Sequence, residues 1–423
     1  FINGLPQTVR NIAVLDRCKE TGAIGEPLFM DVINALHAGW KQPLPIVIGG
    51  RYGLASKEFN PGMVMAVFNE LKKDKPKNGF TVGIEDDITG TSLDYDKQFS
   101  LEDQHLFRGL FFGLGADGTV SANKNTIKII GDETDDHVQG YFVYDSKKSG
   151  SLTVSHLRFS EKPIRSTYLI NSANFVACHH FHYLEKYDIL KEVEKGATFL
   201  LNAPFANEDL WGNLPKKIQE EIIGKQLRLY AINASKVAKE TGMGSRINSI
   251  LQTCFFAISN VIPKEEAISY IKNAIRKTYS RKGEEIVQKN FDAVDRALEN
   301  LSLIDYPKYI VGDKEIEPAI SGNAPDFVQQ VLAKIIAGEG DDLPVSAFPA
   351  DGTYPSATTR YEKRNIAEQV PVWDASLCSQ CGKCFFVCPH AAIRPKVYNT
   401  DLLADAPDFF KHTAPIGKEF FKD

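Results

Sequence analysis

The sequence predicts an α/β protein of several domains, with parallel-sheet units followed by a connector and a small cysteine-rich module. Three observations carry this prediction. Short all-apolar runs such as Leu44–Ile48 alternate with segments whose apolar residues recur at helical spacing. Strands without polar alternation belong to parallel sheets covered on both faces. Near the end, Cys378, Cys381, Cys384 and Cys388 crowd into a single short stretch.

Residues 1–100 read as part of one α/β unit. Val9–Leu15 is the first strand and Pro27–Trp40 the first helix. Leu44–Ile48 is the second strand, running into the Gly49-Gly50-Arg51-Tyr52-Gly53 loop. Asn60-Pro61 supplies an N-cap and a first-turn proline for a helix reaching about Lys73, and Phe80–Ile84 is the third strand. A second unit covers 101–305. It opens on a strand at His105–Gly113, then a glycine-rich turn and a helix through Ile130. Further strands are expected at Tyr141–Tyr144, Leu152–Phe159, Thr167–Ile170, Phe175–Cys178, Thr198–Leu201 and Leu227–Ile232, and Ser245–Leu301 turns helical. Residues 306–370, broken by Pro344, Pro349, Gly352 and Pro355, form a structured connector in which only Asp326–Ala337 has helical periodicity. Residues 371–423 carry the cysteines.

At 423 residues the chain can build more than one core. A net charge of −5, with no basic run among aromatics, argues against a nucleic-acid partner. Apolar runs are too short and interrupted for a membrane span, and no signal peptide is expected from the opening residues. The scattered Cys18, Cys178 and Cys254 suit free thiols in a reducing cytoplasm, the expected location.

The spacing Cys378-x2-Cys381-x2-Cys384-x3-Cys388-Pro389 suits a [4Fe–4S] core held by three of the thiolates. In ferredoxin runs of this kind the fourth cysteine binds the other cluster of a pair. Zinc sites usually take paired knuckles separated by a longer stretch, and disulfides would be strained at this spacing. The module therefore reads as the start of a ferredoxin-like iron–sulfur module, with ligands Cys378, Cys381, Cys384 and Cys388. No cysteine follows to complete a second site, and the chain opens Phe1-Ile2 without methionine, so a piece of a longer polypeptide is expected.

Gly113-Leu-Gly115-Ala-Asp-Gly118 has the G-x-G-x-x-G order between a strand and a helix, where unpaired amides can meet phosphate. Alone it is also explained by a tight turn. Asn123-Lys124-Asn125, a cation flanked by two amides, strengthens the phosphate reading. The acidic residues Asp132 to Asp136 follow a helix and not a strand, which favours a phosphate-bearing ligand other than NAD. Asp16-Arg-Cys18-Lys-Glu-Thr-Gly-Ala-Ile-Gly-Glu-Pro27, at the carboxyl end of a strand, reads as a solvated turn or a domain-interface contact. Glu85-Asp86-Asp87 reads as an exposed acidic loop. His179-His180-x-His182 has no carboxylate or thiol companion identifiable in sequence, and a structural or interface cluster is expected there. No catalytic residue is assigned.

These motifs, with Tyr361-Glu-Lys-Arg364 and the Cys-Pro-His-Ala-Ala-Ile-Arg-Pro ending at Pro395, resemble pyruvate:ferredoxin (flavodoxin) oxidoreductase over essentially the whole chain. The resemblance implies oxidative decarboxylation of pyruvate with coenzyme A to acetyl-CoA and CO2, with electrons passing through [4Fe–4S] clusters to ferredoxin or flavodoxin. It implies thiamine diphosphate and Mg2+ in the parent enzyme, which this chain alone should not bind, since it lacks the Gly-Asp-Gly motif. It implies a transketolase-C-terminal-like unit at 1–100, a coenzyme A-binding gamma-type unit at 101–305, and the first part of a two-cluster ferredoxin domain at 371–423. Gly115, Gly118, Asn123, Lys124 and Asn125 would serve the coenzyme A phosphates. The remaining domains of the parent are implied partners, and a homodimer its implied assembly. Cys18 departs from the threonine expected in this family. A non-catalytic coenzyme A-binding and electron-transfer module, or a relative acting on another 2-oxoacid, are the alternatives.

Overall fold

The computed structural model describes residues 1–115, 117–144, 152–320, 322–362, 371–389, 391–407 and 409–416. Ala116 of the glycine turn, and Lys363, Arg364 and His390 of the family motifs, lie outside the described residues. The chain divides into two compact units, Phe1–Arg364 and Asn365–Asp423.

The first unit opens on a parallel sheet. β1 (Asn11–Asp16), β2 (Ile46–Arg51), β3 (Phe80–Val82) and β4 (Ser92–Leu93) lie side by side in sequence order, all parallel. α1 (Pro27–Gly39) buries Phe29, Val32 and Leu36 with Val14 on one face. α2 (Pro61–Leu71) packs Met63, Ala66 and Val67 with Ile48, Phe80 and Val82 in a second cluster. As expected, Pro61 sits in the first turn of α2 and the Asn60 side chain accepts from the Met63 amide.

A seven-stranded sheet follows. Its strands are β5 (Phe107–Leu114), β6 (His137–Tyr144), β7 (Leu152–Ser160), β8 (Ala173–Cys178), β9 (Val193–Asn202), β10 (Arg228–Ile232) and β11 (Ser302–Leu303), in the order β11-β10-β9-β8-β5-β7-β6. The four central strands β5, β8, β9 and β10 are parallel, while β7, β6 and β11 are antiparallel to their neighbours. The sheet is therefore mixed, not purely parallel. Alternation along β5 divides the core: Phe111 enters one cluster, Leu110 and Phe112 the other. The first cluster is covered by α3 (Thr119–Glu133), α6 (Ala234–Glu240), α7 (Asn248–Ser259), α8 (Lys264–Tyr279) and α9 (Glu284–Asn300). The second is covered by α4 (Asn207–Asn213) and α5 (Lys216–Lys225).

The expected strand at Thr167–Ile170 does not form. Ile170 is buried as the sequence demands, but its amide donates to the His156 ring Nδ1 at 3.1 Å, so it packs into the core without joining a ladder.

The described stretches 309–320 and 322–346 form a strap that bonds to α5 beside the seven-stranded sheet and to loops of the opening sheet. Gln219 of α5 exchanges two hydrogen bonds with the Val311 backbone, both 2.7 Å, and the Lys216 amide donates to the Lys314 carbonyl. A helical turn with a π-type segment at Val328–Leu332 leads into α10 (Ala333–Ile336). Beyond it, Lys57 donates to the Asp341 carbonyl at 2.6 Å, and the Ser346 amide reaches Asp87 at 3.0 Å.

In the second unit, α11 (Lys383–Val387) is the one α-helix among the described residues, and none of the described residues 371–416 is buried.

Candidate functional site

The carboxyl ends of β5 and β8 meet, and there the glycine turn and the histidine run come together. Gly113 is required by a close approach, since a Cβ on it would lie 2.5 Å from the Thr119 side chain. Gly118, the N-cap of α3, has φ +89°, and a Cβ there would fall 2.1 Å from the Asn248 side chain. The start of α7 is thereby seated against the turn.

Asp117 organises the turn. One carboxylate oxygen accepts from the Thr119 amide at 2.7 Å; the other accepts from the Leu114 amide at 2.8 Å and the Thr119 hydroxyl at 2.9 Å. His180 Nε2 stands 2.9 Å from the same carboxylate, and His179 Nδ1 is 2.8 Å from the Thr119 hydroxyl. Because that hydroxyl donates to Asp117, it accepts from His179, which places the proton on Nδ1. The histidine run thus has a carboxylate companion, one that the sequence does not identify. It comes from a different strand end, and no spacing in the sequence could pair them. Phe181–Glu185 closes into a 3-10 turn, so His180 and His182 do not lie along one extended segment.

Burial opposes the charge on Asp117, but the His180 hydrogen bond and the Thr119 and Leu114 amides outweigh it and hold the carboxyl at about 2. Burial pushes His179 down to about 4, with Asp117 pulling the other way; His156 is also held at about 4, by burial and then the Arg158 charge. These shifts predict acid sensitivity. The unfolded state takes up protons below an ordinary histidine value of about 6.5 while the folded state resists, so stability falls as pH drops from about 6.5 to about 4. Asp117 contributes stability that is present above about pH 4 and lost between about 4 and 2. Urea midpoints followed down from neutral pH should fall accordingly, and less steeply in His156→Gln; a flat profile would contradict the burial of both rings.

The five expected phosphate residues are not gathered at one point. Consecutive helical residues point about 100° apart. Asn123 is 4% exposed, with its Nδ2 buried. Lys124 is exposed, its ammonium 5.3 Å from the centre of the Phe142 ring. Asn125 turns toward α7 and donates to Gln252 at 3.5 Å. Gly115 and Gly118 lie in the turn itself. The run Asn123-Lys124-Asn125 is therefore not a single cradle, because the helix spreads what the sequence lists side by side.

In the opening sheet, the buried Asp16 caps α1 through the Leu28 and Phe29 amides at 3.0 and 3.1 Å. The loop after β1 borders a cleft of about 200 Å3 with Lys19, Gly25, Glu26 and Arg51 on its walls, Arg51 pairing with Glu26 at 3.2 Å. Cys18 is exposed; desolvation and the carboxylates of Asp16, Glu20 and Glu26 push its thiol up, away from nucleophilic use. Of the acidic loop Glu85-Asp86-Asp87, expected to be exposed, Glu85 and Asp87 are exposed and Asp86 is not. Asp86 is buried and held well below the carboxylate range by the Thr89 and Thr91 side chains and backbone, while Asp87 bonds to Ser346.

Cys384 lies on α11, with Cys378 and Cys381 before it and Cys388 after it. Among the described residues no three His, Cys, Asp or Glu side chains are gathered closely enough to hold a metal ion. The donor chemistry nevertheless fits an iron–sulfur cluster. The Gln380 amide points at Cys378 sulfur (3.4 Å) and the Ala392 amide at Cys388 sulfur (3.3 Å). The Lys383 amide and the Ser379 side chain lower the Cys381 thiol, favouring the thiolate a metal needs. Arg394 is exposed and donates to the Ala391 carbonyl.

Residues 109–300 match a family model described as pyruvate ferredoxin/flavodoxin oxidoreductase, 313–367 a domain of unknown function, and 370–393 a 4Fe-4S binding domain. The chain is 56% identical to a putative pyruvate-flavodoxin oxidoreductase of Synechocystis sp., over 98% of this chain and 34% of that protein. It is 58% identical to a pyruvate-flavodoxin oxidoreductase of Trichormus variabilis, over 97% and 35%. Identity is 52% to a pyruvate:ferredoxin oxidoreductase of Moorella thermoacetica, over 99% and 36%. The chain is thus similar along nearly every residue to pyruvate-flavodoxin and pyruvate:ferredoxin oxidoreductases, with 109–300 matching that family's model, and it spans about a third of the length of these relatives.

Proposed function

We propose that this chain is the coenzyme A-handling and first electron-carrying portion of an enzyme that converts pyruvate and coenzyme A to acetyl-CoA and CO2. The reading is carried by the identity of more than half of the residues, over nearly the whole chain, to proteins named for pyruvate oxidation. The reaction releases two electrons, which iron–sulfur clusters accept one at a time. Cys378, Cys381 and Cys384 hold one cluster, and Cys388 reaches a neighbouring one. The amides aimed at the sulfurs stabilise the negative charge of the thiolate-bound core. Ferredoxin or flavodoxin takes the electrons onward. The relatives differ in which of the two they are named for while keeping similar identity here, so the choice of acceptor is assigned to residues outside this segment.

The seven-stranded unit binds coenzyme A. Gly115 and Gly118 keep the turn narrow, Lys124 meets a phosphate from the solvent side, and Asn123 and Asn125 brace α3. Residues 1–100 act as the transketolase-C-terminal-like neighbour, and 306–370 connect this part to the cluster module. Thiamine diphosphate with Mg2+ supplies the decarboxylation chemistry when bound, and no residue of this chain is assigned to hold it. The parent enzyme works in the cytoplasm as a homodimer.

Anaerobic reconstitution followed by iron, sulfide and zinc analysis tests the electron-carrying half. Iron and sulfide in equal amounts, up to about four of each per chain, with broad absorbance near roughly 400 nm, support it. Zinc without sulfide overturns it. The purified chain, given pyruvate and coenzyme A, should form no acetyl-CoA. Turnover would overturn the placement of the thiamine site elsewhere.

A further inference from the structure

Gln380 stands between Cys378 and Cys381, and its backbone is left-handed, with φ +54°. Residues with a side chain seldom adopt that conformation, because Cβ crowds the following carbonyl. On the far side of Cys381 the loop turns left-handed again, at φ +77°, and there it uses Gly382. Glycine would relieve position 380 in the same way, so a glutamine there carries a backbone strain that something else must hold in place. Its carboxamide does so with both ends. Nε2 donates to the Ala414 carbonyl at 2.7 Å, and Oε1 accepts from the Ile416 amide, also at 2.7 Å. The side chain thus bonds the 414–416 backbone as another stretch of backbone would. Lys411 adds a further tie, donating to the Trp373 carbonyl at 3.0 Å. These bonds lay the later chain alongside the start of the cysteine loop. The Gln380 main-chain amide, meanwhile, points at Cys378 sulfur at 3.4 Å. One residue therefore grips the later chain with its side chain and a ligand sulfur with its backbone. A side chain pinned at both ends restricts rotation of the peptide that carries it, which keeps that amide aimed. Hydrogen bonds to the sulfurs are one of the means by which a protein sets the reduction potential of an iron–sulfur cluster.

We propose that Gln380 is a positioning residue for the iron–sulfur cluster: its carboxamide, clasped by 414–416, locks the left-handed turn and holds the backbone amide on Cys378 sulfur, which raises the potential of the cluster. This rests on the iron–sulfur reading of Cys378, Cys381 and Cys384. The carboxamide acts through the turn, since its own hydrogen bonds go to backbone and not to sulfur.

The test is a redox titration of the anaerobically reconstituted full chain, followed by the electron paramagnetic resonance of the reduced cluster. Gln380→Ala loses the clasp, and its midpoint should move to more negative potential, because an amide withdrawn from sulfur leaves the reduced core less stabilised. Gln380→Gly loses the clasp but also the left-handed strain, and should move in the same direction. A wild-type potential in Gln380→Gly would overturn the part given to the side chain. A chain ending at Thr413 keeps Gln380 and removes its partners. It should shift like Gln380→Ala, and combining the two changes should shift the potential no further, since both remove one interaction. Independent, additive shifts, or an unchanged potential in Gln380→Ala, would overturn the proposal. Amide hydrogen exchange on the metal-free chain gives an answer where a variant holds too little cluster to titrate. Exchange at Ile416 should be slowed in wild type and several-fold faster in Gln380→Ala. Unprotected Ile416 in wild type would overturn the clasp. Wild type that takes up no iron and sulfide would overturn the iron–sulfur reading and the positioning role together. The exchange at Ile416 separates that failure from a failure of the clasp.

Discussion

Arg158→Ala should lower the unfolding free energy of the first unit by about 3–5 kcal/mol, the range found when one partner of a buried ion pair is removed. Arg158, on β7, is 1% exposed, and its guanidinium reaches Glu102 at 2.6 Å and Gln139 at 2.9 Å. The Glu102 side chain is equally buried and meets a second cation, Arg108, at 3.5 Å, which also pairs with Glu194 at 2.7 Å. Truncation strands a carboxylate in the interior with a single, more distant partner. Replacing both members with uncharged groups of similar size, Glu102→Gln with Arg158→Met, should recover much of the loss, because desolvation of two charges is then avoided as well. Urea titrations of the two variants and wild type measure this. A loss below about 1 kcal/mol in Arg158→Ala would mean that the pair behaves as a surface ion pair.

Replacing any one of Cys378, Cys381 or Cys384 by alanine should remove most of the iron and sulfide that the reconstituted chain retains. Cys388→Ala should spare more of it. The difference follows from the proposed division of ligands: the first three thiolates surround one core, while the fourth serves its neighbour. Cys18→Ala is the control, since that thiol lies in the loop after β1 and is pushed away from the thiolate form. Equal losses from all four cluster variants would place Cys388 on the same core as the others. Unchanged iron in Cys381→Ala would remove this loop from the electron path altogether.

Much of the fold is legible because burial leaves a period in the sequence. α1, α2 and α3 start where proline or glycine signals place them, and every expected strand except Thr167–Ile170 appears within a few residues. That exception shows the limit of the signal: Ile170 is apolar because it is buried, and burial does not require a ladder. The antiparallel flank formed by β5, β7 and β6 was equally hidden, since an apolar run carries no mark of its neighbour's direction. At the site the glycines were visible through their order, whereas their reasons lay in contacts with Thr119 and Asn248. The Asp117–His180 pair could not be seen at all, because it joins the ends of two different strands. Asn123, Lys124 and Asn125 show the reverse, being adjacent in sequence and divergent on a helix.

The strap at residues 309–346 bears on how the first unit assembles. Its hydrogen bonds from Lys57 to Asp341 and from Ser346 to Asp87 join residues 284 and 259 positions apart. Contacts of such separation form late, because each must close a long loop of chain first. During synthesis the opening sheet therefore emerges and folds with the Asp86–Asp87 loop unanchored, and waits for the whole seven-stranded unit before it is tied down. A single backbone cut within the strap would leave both cores intact yet return the two sheets to that unfinished state.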